Sequence, residues 1–257
     1  MALNLLKDGI EVINFPSEKL ILKIQNIVSE KFSKDTKYYC QLSRDEFHKL
    51  VEQTQTKINE LGILTEIVKY MNPIAKKLSK YEDLSWVSVL KLRAVRPIKY
   101  TKKNDAVPFH RETLYDTEQI AYQHNLWIPI SSVDNLSSIK FFPGSHMLLD
   151  KSLIVKRDDN HPIKVNQFSA GHRIGYPYSP KLINKTPELK AIPDRVPVKI
   201  NQAAIFSAML VHGGGINKSE KIRFSVDTGF IPTNKIKDNK NLFASRYKRH
   251  YFKFKDN

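Results

Sequence analysis

The stretch Pro108-Phe109-His110-Arg111-Glu112-Thr113 decides how the rest of the chain is read. His110 and Glu112 stand two residues apart, and in an extended strand alternate side chains leave on the same face, with backbones roughly 7 Å apart. One face then carries an imidazole beside a carboxylate. Those are two of the three side chains of a facial two-histidine, one-carboxylate metal site, the kind that leaves positions open on non-haem iron(II). The third must be a histidine from far along the chain, and His212 is the candidate. Taken alone, an H-x-E occurs by chance in many proteins and marks no more than a polar strand edge. Its meaning depends on its surroundings.

On the N-terminal side of this stretch, Trp86 to Val95 alternates as a strand and ends before Pro97. On the C-terminal side, Ile120 to Ile130 is a β-forming run. It sets Gln123, Asn125 and Trp127 on one face and Leu126, Ile128 and Ile130 on the other, a pattern that suits a strand lining a pocket in a sandwich. A turn at residues 131–134 leads to Ile139 to His146. Further strands are expected at Val196 to Ile200, in the buried run Gln202 to Leu210, and at Ile222 to Ile231. Residues 150–190 are polar and aperiodic, and a loop of that length is a candidate lid.

The first third reads differently. A short strand, Gly9 to Ile13, precedes an amphipathic helix opened by Ser17, with Leu20, Ile21, Ile24 and Ile27 at helical spacing and a polar break at Ser33 to Lys37. Ser43 followed by Glu46 is a capping-box pattern for a second helix running to about Glu60. A third spans Leu64 to Leu78, interrupted or entered at Pro73. Helices first and strands afterwards predict a mainly β sandwich or barrel with an N-terminal α-helical annex. The expected organisation is one domain over residues 1–257: an annex at 1–80, a β core at 81–235, and a basic, aromatic tail at 236–257.

Composition narrows the classes. The 257 residues are 41% hydrophobic and 10% aromatic, which suits a globular core. The single cysteine, Cys40, excludes an internal disulfide and any multi-cysteine zinc or iron–sulfur site, and fits a reducing, cytoplasmic setting. Met1 to Pro16 lacks the pattern of a signal peptide, and no apolar run approaches the ~18 residues of a membrane span. The formal charge of +16 invites an anionic partner, whether nucleic acid, membrane surface or small anion. The lysines are scattered, however, which favours solvated faces.

Eleven residues after His212 comes Arg223, with Ser225 on the same strand face. A guanidinium fork and a hydroxyl in one pocket make a carboxylate clamp. The plainer alternative is an internal salt bridge from Arg223 to Asp227 or Glu220.

Together, His110-x-Glu112, the distal His212 and Arg223-x-Ser225 resemble the iron(II)- and 2-oxoglutarate-dependent oxygenases, and within them the phytanoyl-CoA dioxygenase-like family. The resemblance covers roughly residues 86–231. It includes the turn Phe141-Phe142-Pro143-Gly144-Ser145-His146, and Asn217 between the distal histidine and the arginine. It implies a double-stranded β-helix, or jelly-roll, core. It also implies that His110, Glu112 and His212 are the iron(II) ligands and that Arg223, assisted by Ser225, holds the far carboxylate of 2-oxoglutarate. Gln123, Asn125 and Trp127 would lie on a strand lining the cosubstrate pocket. The implied reaction consumes dioxygen, decarboxylates 2-oxoglutarate to succinate and hydroxylates or otherwise oxidises a small molecule.

The carboxylate is Glu where the family usually has Asp. Its presence argues against halogenating relatives, which vacate that position. His146 belongs to the turn, and His124 points away from the Asn125 face. Arg93, Arg96, Lys99 and the lysines of 150–190 could receive an anionic substrate. Competing readings are a non-catalytic jelly-roll binding protein and a nucleic-acid-directed oxygenase; the latter is disfavoured because that branch has a different arginine pattern after its distal histidine.

Overall fold

The computed structural model describes residues 3–101, 105, 107, 109–112, 120–131, 137–149, 153–156, 181–184, 198–236 and 251–254. A single-turn helix α1 (Leu5–Asp8) meets strand β1 (Ile10–Asn14) at Gly9, whose φ of 74° is left-handed. A Cβ at Gly9 would also stand 2.5 Å from the His146 ring, so glycine is required twice over.

The annex follows the local signals closely. Ser17 caps α2 (Glu18–Lys31), which buries Leu20, Ile21, Ile24, Ile27 and Val28. The capping box forms at α4 (Arg44–Glu60): Ser43 Oγ accepts from Glu46 N at 3.2 Å, and the Glu46 carboxylate accepts from Ser43 N at 2.9 Å. Two details differ from expectation. The polar break after α2 holds another helix, α3 (Thr36–Gln41), capped by Asp35 and burying Tyr39 and Cys40. Six residues are too few to show a period. And α5 (Ile63–Ser79) runs through Pro73 without a break. Pro73 and Lys69, one turn back, are both exposed, so the carbonyl that loses its donor can turn to water.

The expected strand at Trp86 to Val95 is two strands, β2 (Leu84–Val87) and β3 (Lys91–Val95). After the short helix α6 (Ile98–Thr101) come β4 (His124–Pro129), β5 (Ile139–Phe141), β6 (Ile154–Lys156), β7 (Lys181–Asn184), β8 (Gln202–Ser207), β9 (His212–Gly214), β10 (Arg223–Pro232) and β11 (Tyr251–Lys253). The large sheet has the order β1-β8-β4-β10-β2-β11, with β3 also on β10, and every pairing is antiparallel. Against β10, Trp86 pairs with Phe230 and Lys91 with Asp227, so residues 88–90 bulge out opposite Thr228. Asn59 of α4 catches the bulge: its side chain accepts from Leu90 N at 2.9 Å and donates to Leu90 O at 2.8 Å. Gln55 accepts from Leu92 N at 2.9 Å.

Alternation divides the sheet into two faces. Leu92, Leu126, Ile128, Ile205, Val226 and Phe230 pack on the annex with Ile24, Phe47, Ile67 and Met71. Ile10, Trp127, Ala204 and Phe206 face the other way, onto Phe141, Val198 and Leu210. That second layer contains β5 paired with β9, extended by an isolated bridge between His110 and His212. Two facing antiparallel layers make a jelly-roll core, with the helices on its outer side.

Several expectations are corrected or fall outside the described residues. Val198 and Lys199 are irregular and Ile200 lies in a turn, so no strand stands there; 196 and 197 are not described. Ile120–Tyr122 form a 3-10 turn, and the strand begins only at His124. The turn expected at 131–134 is described only at Ser131. Of the candidate lid at 150–190, only 153–156 and 181–184 are described, where β6 and β7 pair. In the tail, Tyr251–Lys253 add an edge strand to β2, Phe252 and Phe254 pack on the annex core, and Lys253 meets Asp83 at 2.7 Å. Among the described residues, no helix is long and apolar enough to cross a membrane.

Replacing Asn59 by Ala strands both backbone groups of buried Leu90. We expect Asn59→Ala to lower the unfolding free energy by about 1–3 kcal/mol in urea titrations. A change within a few tenths would mean that the bulge is satisfied without it.

Candidate metal centre

The bridge between His110 and His212 is a hydrogen-bonded antiparallel pair: His110 N donates to His212 O at 2.8 Å and His212 N to His110 O at 2.9 Å. Residues directly opposite in such a pair send their side chains to the same face. Glu112 follows two residues on, with its N–H on Ala208 O at 2.9 Å. The segment is not the regular strand expected. Only His110 is in a ladder, and Glu112 enters a 3-10 turn. Alternation nevertheless survives across these three residues, and it converges the triad. Glu112 Oε1 lies 3.5 Å from His110 Nε2 and 3.9 Å from His212 Nε2, and the two imidazole centres are 4.4 Å apart. All three residues are buried, with their ligand atoms within 4.8 Å of one another.

The donor set fits a divalent metal. His212 Nδ1 lies 2.9 Å from Leu210 O, which can only accept, so the proton sits on Nδ1 and the Nε2 lone pair faces Glu112. Burial, with His110 nearby, pushes the His212 pKa down to about 3, and a neutral imidazole is the form a metal needs. Phe206 and Phe141 wall its ring at 4.7 and 6.4 Å between centres. A buried, water-poor group of two imidazoles and one carboxylate fits an iron site.

Arg223, Ser225 and Asp227 lie on the inner face of β10, and Asp227 is in register with Trp127 on β4, which is in register with Ala204 on β8. Trp127 packs with Phe206 in one cluster, and the Phe206 ring lies 4.7 Å from that of His212, so this face is the one turned toward the triad. Neither internal partner considered for Arg223 holds it. Arg93 takes Asp227 through two hydrogen bonds, at 2.6 and 3.1 Å. Lys99 and the Tyr100 hydroxyl take Glu220. Arg223 keeps one described bond, Nη1 to Ser137 O at 2.7 Å, while its Nε and Ser225 Oγ are buried without a partner among the described residues. Burial, and Arg93 beside it, pushes the Arg223 pKa down to about 10, so it stays cationic at neutral pH. Among the described residues it is a buried cation with no anion.

The other singled-out residues divide. Trp127 packs on the inner face with Phe206. Gln123 Nε2 donates to Asn125 Oδ1 at 2.6 Å, and the Tyr251 hydroxyl donates to Gln123 Oε1 at 3.1 Å. The pair crosses β10 at Gly229, where a Cβ would stand 3.0 Å from Gln123 Nε2. His124 stacks on Phe230 at 5.4 Å, away from the Trp127 face, and burial pushes its pKa down to about 4. His146 sits in its turn against Gly9. Arg96 is buried in a fork on Asp105, with the Tyr39 and Leu42 carbonyls, so it and Lys99 serve internal anions. Asn217 holds the loop before Arg223 through Val95 O and Lys221 O. Sequence reasoning passed over Arg111, fully buried with its fork on Ser145 O and Leu148 O, and Tyr251. Only the oddity of an arginine between two candidate ligands could have pointed to the former.

No family model and no curated protein matches the chain. Solved structures do. The non-heme alpha ketoglutarate dependent carbocyclase SnoK from nogalamycin biosynthesis aligns with a TM-score of 0.53 at 14% identity, over 88% of this chain and 81% of that one. The epimerase SnoN in complex with Fe3+, alpha ketoglutarate and nogalamycin RO gives 0.52 at 14%, over 89% and 80%. AviO1 from Streptomyces viridochromogenes Tue57 gives 0.57 at 15%, over 90% and 92%. At such identities the likeness shows the fold: this chain has the jelly-roll architecture of those proteins.

Proposed function

We propose that the chain is an iron(II)- and 2-oxoglutarate-dependent oxygenase, of the phytanoyl-CoA dioxygenase-like kind, that hydroxylates or otherwise oxidises a small molecule. The observation that carries this reading is a buried His110–Glu112–His212 group on the same inner side of the sheet as a buried Arg223 that has no anion among the described residues. A metal site alone fits many activities. A metal site facing an uncompensated guanidinium asks for a ligand with a carboxylate at its far end, and 2-oxoglutarate is such a ligand. The SnoN complex, which holds Fe3+ and alpha ketoglutarate on the same architecture, supports the choice.

In this reading His110, Glu112 and His212 hold the metal through Nε2, a carboxylate oxygen and Nε2. Bound iron(II) supplies the dioxygen chemistry that side chains lack. The remaining residues bind and orient. Arg223 offers its fork and Ser225 its hydroxyl to the far carboxylate, with Ser137 O steadying the guanidinium. Trp127, Phe206 and Phe141 exclude water, which strengthens that ion pair. Asn125 and Gln123 contribute polar groups at the edge of the same face.

A non-catalytic jelly-roll binding protein would keep the same cluster without turnover. A nucleic-acid-directed oxygenase is disfavoured by the tail, in which Phe252 and Phe254 are packed on the annex core and the Tyr251 hydroxyl is bonded to Gln123.

Anaerobic protein given iron(II) and then 2-oxoglutarate is expected to develop a visible charge-transfer band. No band with the triad intact would favour the binding-protein reading. Arg223→Ala should weaken 2-oxoglutarate binding and spare iron; equal loss of both would make the arginine structural. In urea titrations, saturation of the wild type at 100 times the dissociation constant should add about 2.7 kcal/mol. Arg223→Met should lose that gain while leaving the ligand-free chain no less stable, since a buried cation without an anion is removed. A ligand-free loss of about 3–5 kcal/mol would instead reveal an internal partner.

A further inference from the structure

Arg111 stands between His110 and Glu112 and leaves on the opposite face, where it is 0% exposed. A guanidinium that deep is rare unless it is held. Its Nη2 donates to Ser145 O at 2.6 Å and its Nη1 to Leu148 O at 2.8 Å. Both carbonyls belong to the turn that begins at Phe142, where Ser145 N donates to Phe142 O at 3.0 Å and Gly144 takes a φ of 84°. The same turn grips the residue before the distal histidine from both sides. Ser145 Oγ accepts from Val211 N at 2.9 Å, and Phe142 N donates to Val211 O at 3.0 Å.

The segment carrying His110 and Glu112 is therefore tied to the segment leading into His212 in two ways. One is backbone pairing: the bridge at His110 and His212, with the Glu112 N–H on Ala208 O at 2.9 Å. The other runs from Arg111 through the turn to Val211. We infer that Arg111 and Ser145 are positioning residues that hold the two halves of the metal-binding triad in register, an inference that rests on the metal site proposed above. That pairing is three backbone hydrogen bonds along one edge of the H-x-E segment, and Glu112 already lies in a turn. With only that edge held, the segment can roll about the line of those bonds and move the Glu112 carboxylate relative to the two imidazoles. The second tie removes this freedom, through charge-assisted bonds on two carbonyls held by a planar fork whose fixed geometry a lysine ammonium does not reproduce.

The sign of the effect separates positioning from charge. Arg111 is a cation near the site, so neutralising it would on electrostatic grounds tighten metal binding. Loss of the tie loosens it.

The test titrates cobalt(II) into full-length wild type, Arg111→Met, Arg111→Lys, Ser145→Ala and His212→Ala, following the visible d–d absorption together with thermal unfolding. Loss of a partner that orients metal ligands typically costs 10–100-fold in affinity. Arg111→Met and Ser145→Ala should fall in that range with altered spectra, and Arg111→Lys should lie between them and wild type. Wild-type affinity and spectrum in folded Arg111→Met, or tighter binding, overturns the inference, even if the variant melts earlier. Should Arg111→Met fail to fold, Ser145→Ala decides on the same criterion. If wild type takes up no cobalt(II), or His212→Ala binds like wild type, the metal-centre reading itself fails, a result distinct from equal binding by wild type and Arg111→Met.

Discussion

The two hydrogen bonds exchanged between the backbones of His110 and His212 are the constraint from which the site follows. They join segments about a hundred residues apart in sequence and, because opposite residues in such a pair share a face, they bring two imidazoles together without any attraction between the rings. The backbone, and not an attraction among these side chains, holds the two imidazoles and the carboxylate in one buried space. The turn at Phe142–Ser145 lies against Val211 and so bears on the same pair. The large sheet completes the enclosure by setting Phe206 and Trp127 on its inner face. The annex contributes indirectly: by covering the outer face, and by catching the bulge at 88–90 with Asn59, it lets β10 pair with β2 and β3 in turn and present Arg223 inward.

The inner face changes character from one side to the other. At β1 and β8 it is apolar, with Ile10, Ala204 and Phe206. Across β4 to β10 and β3 it becomes Asp227, Ser225, Arg223 and Arg93. The carboxylate of Asp227 is held by Arg93, which leaves Arg223 as the cation without a counter-charge among the described residues. Desolvating a guanidinium costs several kcal/mol unless something compensates. One carbonyl from Ser137 is thin compensation, and this imbalance gives the site its chemical direction.

Much of this was legible in the sequence, for local reasons. Helix starts are written in short range, and Ser17 and the Ser43–Glu46 pair cap as read. Alternation at Gln123–Ile130 separates the inner Trp127 from the outer Leu126 and Ile128, as the structure has it. The spacing of His110 and Glu112 survives even though their segment is only a bridge. What could not be read depends on register. Whether Arg223 or Arg93 takes Asp227 turns on Arg93 lying opposite Ser225, which requires knowing the β3–β10 pairing. The bulge that sets that pairing is stabilised by an asparagine about thirty residues upstream. Arg111 was invisible because its partners are backbone carbonyls, which carry no sequence signature. Val196 to Ile200 looked like a strand because β-branched residues favour extended backbone wherever they stand.

In the function proposed, one interior holds a metal at His110, Glu112 and His212 and a carboxylate at Arg223. The most direct measurement is a crystal structure grown anaerobically with iron(II) and 2-oxoglutarate. That arrangement predicts anomalous density for iron among those three side chains, and the far carboxylate of 2-oxoglutarate on the Arg223 guanidinium and Ser225 hydroxyl. Iron bound elsewhere, or a carboxylate that leaves Arg223 bonded to Ser137 O alone, would contradict it.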